Sequence, residues 1–300
     1  MKILVTGGGG FIGSNLVDCL IAKNYDVVVV DNLSSAYVSK SNFNSDAKYV
    51  FCDIADYKST RKLYDGVSYV YHLAAESRIQ PSINNPLLAV KTNTMGTATV
   101  LQCAREANVE RVVYSSTSAV YGLKNKLPSN ENMIDDCLNP YSVSKLSGEK
   151  LCQMYSRLFG VDTVIFRYFN VYGNREPISG QYASVIGIFL NQLKKGMSLT
   201  IVGDGKQRRD FVNVNDIVHA NILAMDSKIK SFGEIYNVGT GVNYSVKELA
   251  DMISTNQIHV ESRPGEATET LADTTKLERV FNWKPTIQLT DYIDSTKELT

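Results

Sequence analysis

Short apolar runs alternate with longer mixed segments through the first 170 residues of this 300-residue chain. The apolar runs are nearly continuous, which is typical of strands covered on both faces of a sheet. They occupy residues 3–6, 27–31, 49–53, 69–73, 111–115 and 163–169. Two of the intervening segments, 84–107 and 140–159, have the length of helices. Strands and helices in alternation predict an α/β fold with a doubly wound parallel sheet.

After residue 170 the pattern loosens into short apolar stretches separated by polar loops. These loops lie at residues 173–180, 203–209, 239–243 and 262–270, and an amphipathic pattern follows at 289–299. We interpret residues 1–170 as one domain. Residues 171–300 are expected to form mainly a smaller α/β lobe that is partly interleaved with it.

Composition and charge narrow the classes of partner. Lys plus Arg and Asp plus Glu each total 31, so the formal net charge is zero. Because no basic excess or basic run is present, we expect neither a nucleic acid nor a membrane as partner. Five widely spaced cysteines, without a CxxC pair, and three histidines predict reduced thiols and no metal site. The N-terminus enters a strand directly and no apolar run reaches membrane-spanning length, so we expect a cytoplasmic protein.

A glycine-rich turn, TGGGGFIG, joins the first predicted strand to the first helix at residues 6–13. Gly7 permits the tight turn, Gly10 lets a pyrophosphate approach the backbone, and Gly13 lets helix and strand pack closely. The phosphates then bind free N–H groups at the positive end of the helix. The position of this motif between a strand and a helix predicts a Rossmann-type dinucleotide-binding domain.

The second predicted strand ends in Asp31, eighteen residues after Gly13. A carboxylate at this position accepts hydrogen bonds from the adenosine ribose hydroxyls and repels a 2′-phosphate. The following Asn32, Leu33 and Ser34 offer no arginine to that phosphate, so the sequence favours NAD over NADP. Asp53, at the end of the third strand, is an expected adenine contact, with a structural strand-end cap as the alternative.

Tyr141 and Lys145 belong to the run YSVSK, which begins a helix just after Pro140. Their four-residue offset places phenol and ammonium on one helical face. The ammonium and a bound nicotinamide cation both favour phenolate, which lowers the pKa of Tyr141 toward working pH. This predicts Tyr141 as the general base for an alcohol.

A cluster of hydroxyl groups follows the fifth predicted strand in the run SSTSAVYG at residues 115–122. The carboxyl ends of strands are where open α/β sheets bind ligands. We expect Thr117 to bind the substrate hydroxyl and Ser118 to serve in capping or turn formation.

These motifs, together with HLAA at 72–75 and RYFNVYG at 167–173, resemble in order and spacing those of the extended short-chain dehydrogenase/reductases. The likeness is closest to the UDP-hexose 4-epimerases and covers nearly the whole chain. It implies a triad of Thr117, Tyr141 and Lys145, with tightly bound NAD that is recycled in every turnover. It also implies epimerisation at carbon 4 of a UDP-sugar through a 4-keto intermediate. Family members commonly dimerise through two long helices, here 84–107 and 140–159, so a homodimer is implied as well.

The resemblance further implies which residues surround the ligands. Beside the cofactor, in addition to the glycines and Asp31, the expected residues are Phe11, Ile12, Asn32, Asp53, Ile54, Leu73, Ala74, Ala75, Asn93, Ser115 and Tyr168. Around the UDP-sugar they are Asn170, Arg209 in the GDGKQRRDF loop, Arg263 in RPGE, and Thr270. Arginines in polar loops are the side chains expected to clamp a diphosphate.

Two positions after the threonine separate this chain from relatives that share the triad. Sugar-nucleotide 4,6-dehydratases carry Asp-Glu there, and UDP-glucuronate decarboxylases carry Ser-Glu. This chain has Ser118 and Ala119, and Ala119 can neither donate nor accept a proton. The sequence therefore disfavours elimination and decarboxylation.

The identity of the sugar is left more open. Hexose epimerases specific for glucose and galactose commonly carry a large aromatic residue seven positions beyond the second UDP-binding arginine, where this chain has Thr270. The small side chain leaves room near carbon 2, and residues 181–186 look like N-acetylhexosamine epimerases, so we hypothesise that N-acetylated hexosamines are accepted. Uronate 4-epimerases also tend to have a threonine near that position. The alternatives are a UDP-glucuronate 4-epimerase, another sugar-nucleotide oxidoreductase, or a non-catalytic NAD-binding sensor.

Overall fold

The computed structural model describes residues 1–35, 42–180, 183–261 and 268–298. Its strands are β1 (Lys2–Thr6), β2 (Asp26–Asp31), β3 (Lys48–Phe51), β4 (Tyr69–His72), β5 (Arg111–Thr117), β6 (Thr163–Tyr168), β7 (Asn170–Tyr172), β8 (Leu199–Val202), β9 (Arg208–Asn213), β10 (Glu234–Val238), β11 (Asn243–Ser245) and β12 (Gln257–Val260). Its helices are α1 (Phe11–Ala22), α2 (Tyr57–Thr60), α3 (Ile79–Asn84), α4 (Pro86–Val90), α5 (Gly96–Glu106), α6 (Pro140–Phe159), α7 (Val185–Lys194), α8 (Val214–Asp226), α9 (Val246–Ile253), α10 (Thr275–Phe281) and α11 (Leu289–Glu298).

The predicted doubly wound sheet is confirmed. Seven strands lie in the order β10-β6-β5-β4-β1-β2-β3, and every pairing between them is parallel. The strand order reverses at β1, whose neighbours are β2 and β4. A crevice at the carboxyl ends of the strands is therefore expected beside β1.

Apolar cores cover both faces of this sheet, as the continuous apolar runs predicted. On one face Leu16 and Leu20 of α1 pack with Ile217 of α8 and with Trp283. On the other face Leu101 of α5 and Cys152 of α6 pack against the same strands. The strands are thus fixed between two helical layers.

The C-terminal half forms a smaller α/β lobe. It contains a three-stranded sheet in the order β11-β9-β7 and a two-stranded sheet of β12 and β8. Helices α7, α9 and α11 pack on them around Phe189, Leu249 and Ile293. The chain also returns from this half to add β10 to the edge of the large sheet. The boundary at residue 170 stays a prediction.

The segment 84–107, predicted as one helix, differs in detail. The Asn85 side chain accepts a hydrogen bond from the Leu88 N–H and so caps a new helix, which starts at Pro86. A π-helical turn at Lys91–Met95 then separates α4 from α5. In contrast, α6 begins and ends where the sequence predicts. In the described part of the chain, no helix has both the length and the apolar character needed to cross a membrane.

Candidate active site

A cavity of about 710 Å³ lies at the carboxyl ends of the parallel strands. Its lining includes the glycine turn, Thr117 at the end of β5, and Tyr141 and Lys145 of α6. The smaller lobe contributes Arg209 and Thr270 to the wall. A cavity that joins both lobes at this edge of the sheet has the position expected of a ligand site in an α/β fold.

The glycine turn is built so closely that side chains would not fit. Gly7 has a φ of +71°, and its amide donates to the Val30 carbonyl at 2.8 Å. A Cβ atom on Gly13 would lie 2.2 Å from the Gly7 carbonyl oxygen. Helix α1 therefore begins directly against the turn, with Gly10 as its N-terminal cap and no side-chain cap in place. Its first N–H groups face the cavity, which is an arrangement that binds phosphate.

Asp31 connects the end of β2 to this turn. One carboxylate oxygen accepts from the Gly9 amide at 3.0 Å, and the other accepts from the Leu33 amide at 2.9 Å. Each oxygen keeps a lone pair for a further donor. Asp31 lines the cavity while it is 8% exposed, so it can accept hydroxyl groups of a bound ligand.

Local sequence positions Tyr141 and Lys145. Asn139 caps α6 by accepting from the Ser142 amide at 2.9 Å, and Pro140 occupies the first turn. The Tyr141 amide, which has no intrahelical partner, donates to Ser82 Oγ at 3.0 Å. Tyr141 is thereby held in the first helical turn, and Lys145 follows one turn later on the same face.

Burial acts on both side chains. Lys145 is 3% exposed, and its Nζ lies 4.4 Å from the centroid of the Tyr114 ring. Burial lowers the pKa of Lys145 to about 7. Burial also raises the pKa of Tyr141, and a hydrogen bond with Thr117 and the charge of Arg78 oppose that rise. The free protein thus holds a protonated phenol beside an ammonium that titrates near neutrality.

Thr117 differs in one respect from its prediction. Its Oγ1 accepts from the Ala119 amide at 3.1 Å and caps the 3₁₀ turn at Ser118–Tyr121. The capping role that was expected of Ser118 therefore belongs to Thr117. A hydroxyl that accepts a cap still has its own proton to donate.

His72, in the HLAA run, forms a buried chain of hydrogen bonds that the sequence did not predict. Its Nδ1 lies 2.7 Å from Thr6 Oγ1, and its Nε2 lies 2.8 Å from Thr97 Oγ1. Thr97 in turn donates to the Asn93 carbonyl at 2.6 Å, so the imidazole is the Nε2–H tautomer. Burial lowers the pKa of His72 to about 3, so the ring is neutral and structural.

Most of the predicted cofactor residues line the cavity. They are Gly7, Gly10, Phe11, Ile12, Gly13, Asp31, Asn32, Ile54, Leu73, Ala74, Ala75, Ser115, Tyr141, Lys145 and Tyr168. Asp53 does not line it, because its carboxylate pairs with Lys91 at 2.8 Å and accepts from the Ala55 amide at 2.9 Å.

Asn93 also lies behind the cavity wall. It sits in the π-helical turn, where its Oδ1 accepts from the Glu76 amide at 2.8 Å and its Nδ2 donates to Ser144 Oγ at 2.9 Å. Ser144 lies between Tyr141 and Lys145 on α6. Asn93 therefore ties the segment after β4 to the helix that carries the reactive pair.

The predicted substrate residues come together on the side of the smaller lobe. The Asn170 Nδ2 donates to Thr270 Oγ1 at 3.2 Å, and both residues line the cavity with Arg209. Arg209 donates to the carbonyls of Arg208 at 2.9 Å and Thr268 at 3.4 Å. Arg263 lies outside the described residues.

The charged residues that the sequence analysis did not identify include Arg78, at the cavity, and Glu176, whose chain neighbours Arg175 and Pro177 line the cavity. Arg78 lines it with a φ of +136°, a backbone region that is costly for a side chain. Glu176 is buried, accepts from Ser184 Oγ, and has its pKa raised to about 7 by burial. The sequence does not show that Arg78 lies close to Tyr141, because the two residues are on different segments of the chain.

Among the described residues, no group of three or more His, Cys, Asp or Glu side chains is arranged to hold a metal ion. The groups at the site that can take part in a reaction are therefore Tyr141, Lys145 and Thr117, with arginines in the wall. Such groups transfer protons and bind anions, and they need a redox partner for hydride transfer.

Comparisons with known proteins identify the family. Residues 3–239 match the family model described as the NAD dependent epimerase/dehydratase family. The chain is 41% identical over 299 residues to a putative UDP-glucose 4-epimerase of Methanocaldococcus jannaschii, covering 97% of this chain and 95% of the relative.

Solved structures show the same similarity. The UDP-glucose 4-epimerase of Thermotoga maritima, solved with UDP-glucose, superposes with a TM-score of 0.94 at 34% identity and covers 99% and 98% of the two chains. The UDP-N-acetylglucosamine 4-epimerase of Methanobrevibacter ruminantium, in complex with UDP-N-acetylmuramic acid, gives 0.92 at 32% identity over 99% and 97%.

Proposed function

This chain belongs to the NAD-dependent epimerase/dehydratase family, and we propose that it interconverts UDP-sugars that differ in configuration at carbon 4. The observation that carries the proposal is the arrangement of Tyr141, Lys145 and Thr117 at one cavity, with Ala119 beside them. Tyrosine and lysine supply a proton acceptor for a hydroxyl group. Ala119 supplies no acid or base for a second reaction.

The cavity wall fits NAD. Gly10, which leaves the backbone open at the cavity, and the uncapped start of α1 suit a pyrophosphate. Asp31 suits the adenosine ribose of NAD rather than a 2′-phosphate. The chemistry that NAD would supply when bound is reversible hydride exchange with carbon 4 of the sugar, without net oxidation. Asn93 and Asp53 support this wall from behind.

Tyr141 takes the proton of the carbon 4 hydroxyl and later returns it. Its phenol must lose a proton first, and the Lys145 ammonium favours that loss. The Thr117 hydroxyl donates a hydrogen bond to the sugar oxygen and keeps its proton. Burial raises the pKa of Tyr141 in the free protein. We expect this pKa to fall when the positive charge of a bound nicotinamide adds to that of Lys145.

The UDP moiety anchors the sugar while the 4-keto intermediate turns to present its other face. Arg209, Arg263 and Asn170 hold the diphosphate and nucleoside in this proposal. The reaction requires that the UDP moiety is bound tightly and that the 4-keto sugar is free to rotate.

N-acetylated hexosamines are the substrates that Thr270 favours. Thr270 is small, and its hydroxyl is engaged with Asn170 at 3.2 Å, so it does not obstruct a substituent at carbon 2. Plain UDP-glucose and UDP-galactose fit the same space with fewer contacts.

A second candidate is an acidic sugar such as UDP-glucuronate. The observation that favours it is the guanidinium of Arg78 at the cavity, whose charge reaches Tyr141. A carboxylate on the sugar would find there a bidentate partner.

The test is to incubate the purified protein, with no added cofactor, separately with UDP-GlcNAc, UDP-glucose and UDP-glucuronate, and to resolve the products. We expect the carbon 4 epimer of UDP-GlcNAc, and NAD released on denaturation of the enzyme. Arg78→Ala distinguishes the candidates, because it reduces turnover of the uronate selectively if that sugar is the substrate. Three unchanged sugars with NAD bound would instead favour a non-catalytic sensor.

Two further properties belong to the proposal. The five cysteines are all free thiols, which suits a reducing compartment such as the cytoplasm. Helices α4 and α6 expose the apolar side chains of Leu87, Val143 and Leu158, which suits a homodimer formed through these helices.

A further inference from the structure

Glu149 is a fully buried carboxylate one helical turn beyond Lys145 on α6. It accepts from Ser116 Oγ at 2.5 Å on one side. On the other side it accepts from Arg167 Nε at 2.9 Å and Arg167 Nη2 at 2.7 Å. Ser116 immediately precedes Thr117 on β5, so Glu149 connects the strand of one triad member with the helix of the other two.

Arg167 of β6 braces Glu149 from behind. Its Nη2 also contacts Asp135 at 2.9 Å, and its guanidinium carbon lies 4.7 Å from the Tyr121 ring centroid. Desolvation makes a buried ion pair a weak source of stability, and apolar side chains of equal size often replace such a pair without loss. A pair at this position is better explained by what it does to its neighbours.

The neighbour of interest is the Lys145 ammonium. Burial disfavours its charge, while Cys152 and Glu149 act in the opposite direction. Burial raises the pKa of the Cys152 thiol, so that thiol is uncharged at neutral pH. Glu149, one helical turn away on α6, is therefore the carboxylate that opposes the effect of burial on Lys145.

We propose that Glu149, held by Arg167 and Ser116, is a positioning residue that keeps Lys145 charged and Thr117 aligned with Tyr141. The kinetic part of this inference rests on the proposed epimerase reaction, and the electrostatic part does not. Besides Arg167 and Asp135, the titratable groups packed around Lys145 and Glu149 are His72, Tyr114, Tyr121, Cys137 and Cys152.

The chain offers a matched control at the other end of the same strand. Arg111, the first residue of β5, pairs with the buried Asp162 at 2.7 Å. This pair is as buried as the one formed by Arg167 and Glu149, but it lies at the amino end of the sheet, away from the cavity. Asp162→Asn therefore reports the cost of neutralising a buried partner of arginine without an effect on the site.

The test compares Glu149→Gln with Asp162→Asn. The titration of Lys145 is followed in protein labelled with ¹³C-lysine by the Cε resonance that Lys145→Arg removes. In wild-type protein without bound nucleotide, the Lys145 ammonium should titrate with a midpoint near pH 7. Glu149→Gln should lower this midpoint by about one pH unit, because an opposite charge is lost, and Asp162→Asn should leave it unchanged.

Kinetics give the second readout. Glu149→Gln should reduce kcat about 10- to 100-fold, as small misplacements of reacting groups do, with little change in KM. The alkaline limb of the pH profile should move to lower pH, since Lys145 loses its proton earlier. Ser116→Ala keeps the carboxylate, so it should reduce kcat while the Lys145 midpoint stays in place. It also replaces Glu149→Gln if that variant does not fold.

A Lys145 midpoint in Glu149→Gln equal to that in Asp162→Asn would overturn the electrostatic role. If Glu149→Gln does not fold, wild-type kcat in Ser116→Ala would overturn the positioning role. If the wild type turned over no UDP-sugar, the proposed function would fail, and the titration would still decide the role of Glu149.

Discussion

Lys145 and Tyr141 show how burial and charge act on two side chains one helical turn apart. Burial lowers the pKa of Lys145 to about 7 and raises that of Tyr141, so in the free protein both groups favour their neutral forms. The proposed reaction requires the opposite, a phenolate beside an ammonium. Its rate should therefore rise with pH as Tyr141 loses its proton and fall with pH as Lys145 does.

Lys145→Met tests this reading. The change removes the ammonium that favours phenolate, so the rising limb of kcat should move by about 1 to 3 units to higher pH, and the falling limb should disappear. At neutral pH kcat should drop about 10²- to 10⁴-fold. The measurement is the pH profile of epimerisation, with Lys247→Met on the exposed face of α9 as control. An unshifted rising limb would contradict the role of the ammonium.

Local spacing explains which residues could be predicted from the sequence. Tyr141 and Lys145 share one helix, and Gly7, Gly10 and Gly13 share one turn, so their geometry follows from sequence offsets alone. His72, Arg78 and Glu149 escaped prediction. Glu149 contacts partners 18 and 33 residues away, and His72 contacts one 66 residues away. Nothing in a single sequence shows such pairings.

Among the elements, α6 has the closest link between local structure and chemistry. A capping box of Asn139 and Ser142 fixes its first turn, which carries Tyr141. Helix α9 has the same device, in which Ser245 accepts from the Glu248 amide at 3.0 Å. One box fixes the turn that carries Tyr141, and the other begins a helix of the smaller lobe, whose Val246 lines the cavity.

Asn139→Ala and Ser245→Ala should therefore differ in function but not in stability. Each removes a helix cap, which costs about 1 kcal/mol of the free energy of unfolding. Only Asn139→Ala should also reduce kcat, because the turn that carries Tyr141 frays. Denaturation midpoints and kcat, measured together on both variants, check this. Equal kcat values would show that the cap does not position Tyr141.

In the region from 84 to 107, the pattern of apolar residues does not predict where the helices begin and end. Its apolar spacing indicates one helix, yet Asn85 caps a new start at Pro86 and a π-helical turn occupies Lys91–Met95. The extra residue of such a turn rotates Asn93 toward Glu76 and Ser144. Periodicity does not carry that information, because the turn is stabilised by tertiary contacts.

For the whole molecule, the exposed apolar surface is the feature that composition alone does not explain. Leu87 is 83% exposed on α4, and Val143 and Leu158 are exposed on α6, which packs beside it. Ile134 is 80% exposed in the loop that precedes α6. The first three share neighbouring helices, while Ile134 is on a separate segment.

Leu87→Asp and Ile134→Asp form a pair that tests the homodimer. The wild type should have twice the 33.2 kDa of one chain in light scattering coupled to size exclusion. Leu87→Asp should be monomeric at micromolar concentration, because a charge in an apolar interface is costly to desolvate, and Ile134→Asp should remain dimeric. A monomeric wild type would rule out this assembly.

The placement of β10 has a consequence for synthesis on the ribosome. This strand pairs with β6 on the edge of the large sheet. Phe166 of β6 therefore has no partner until Tyr236, seventy residues later, has been synthesised. Helix α8 and Trp283, which cover α1, emerge in the same late stretch. The first 170 residues therefore leave the exit tunnel with one strand edge and one apolar face uncovered. We therefore expect nascent chains to be prone to aggregation until residue 283 has left the tunnel.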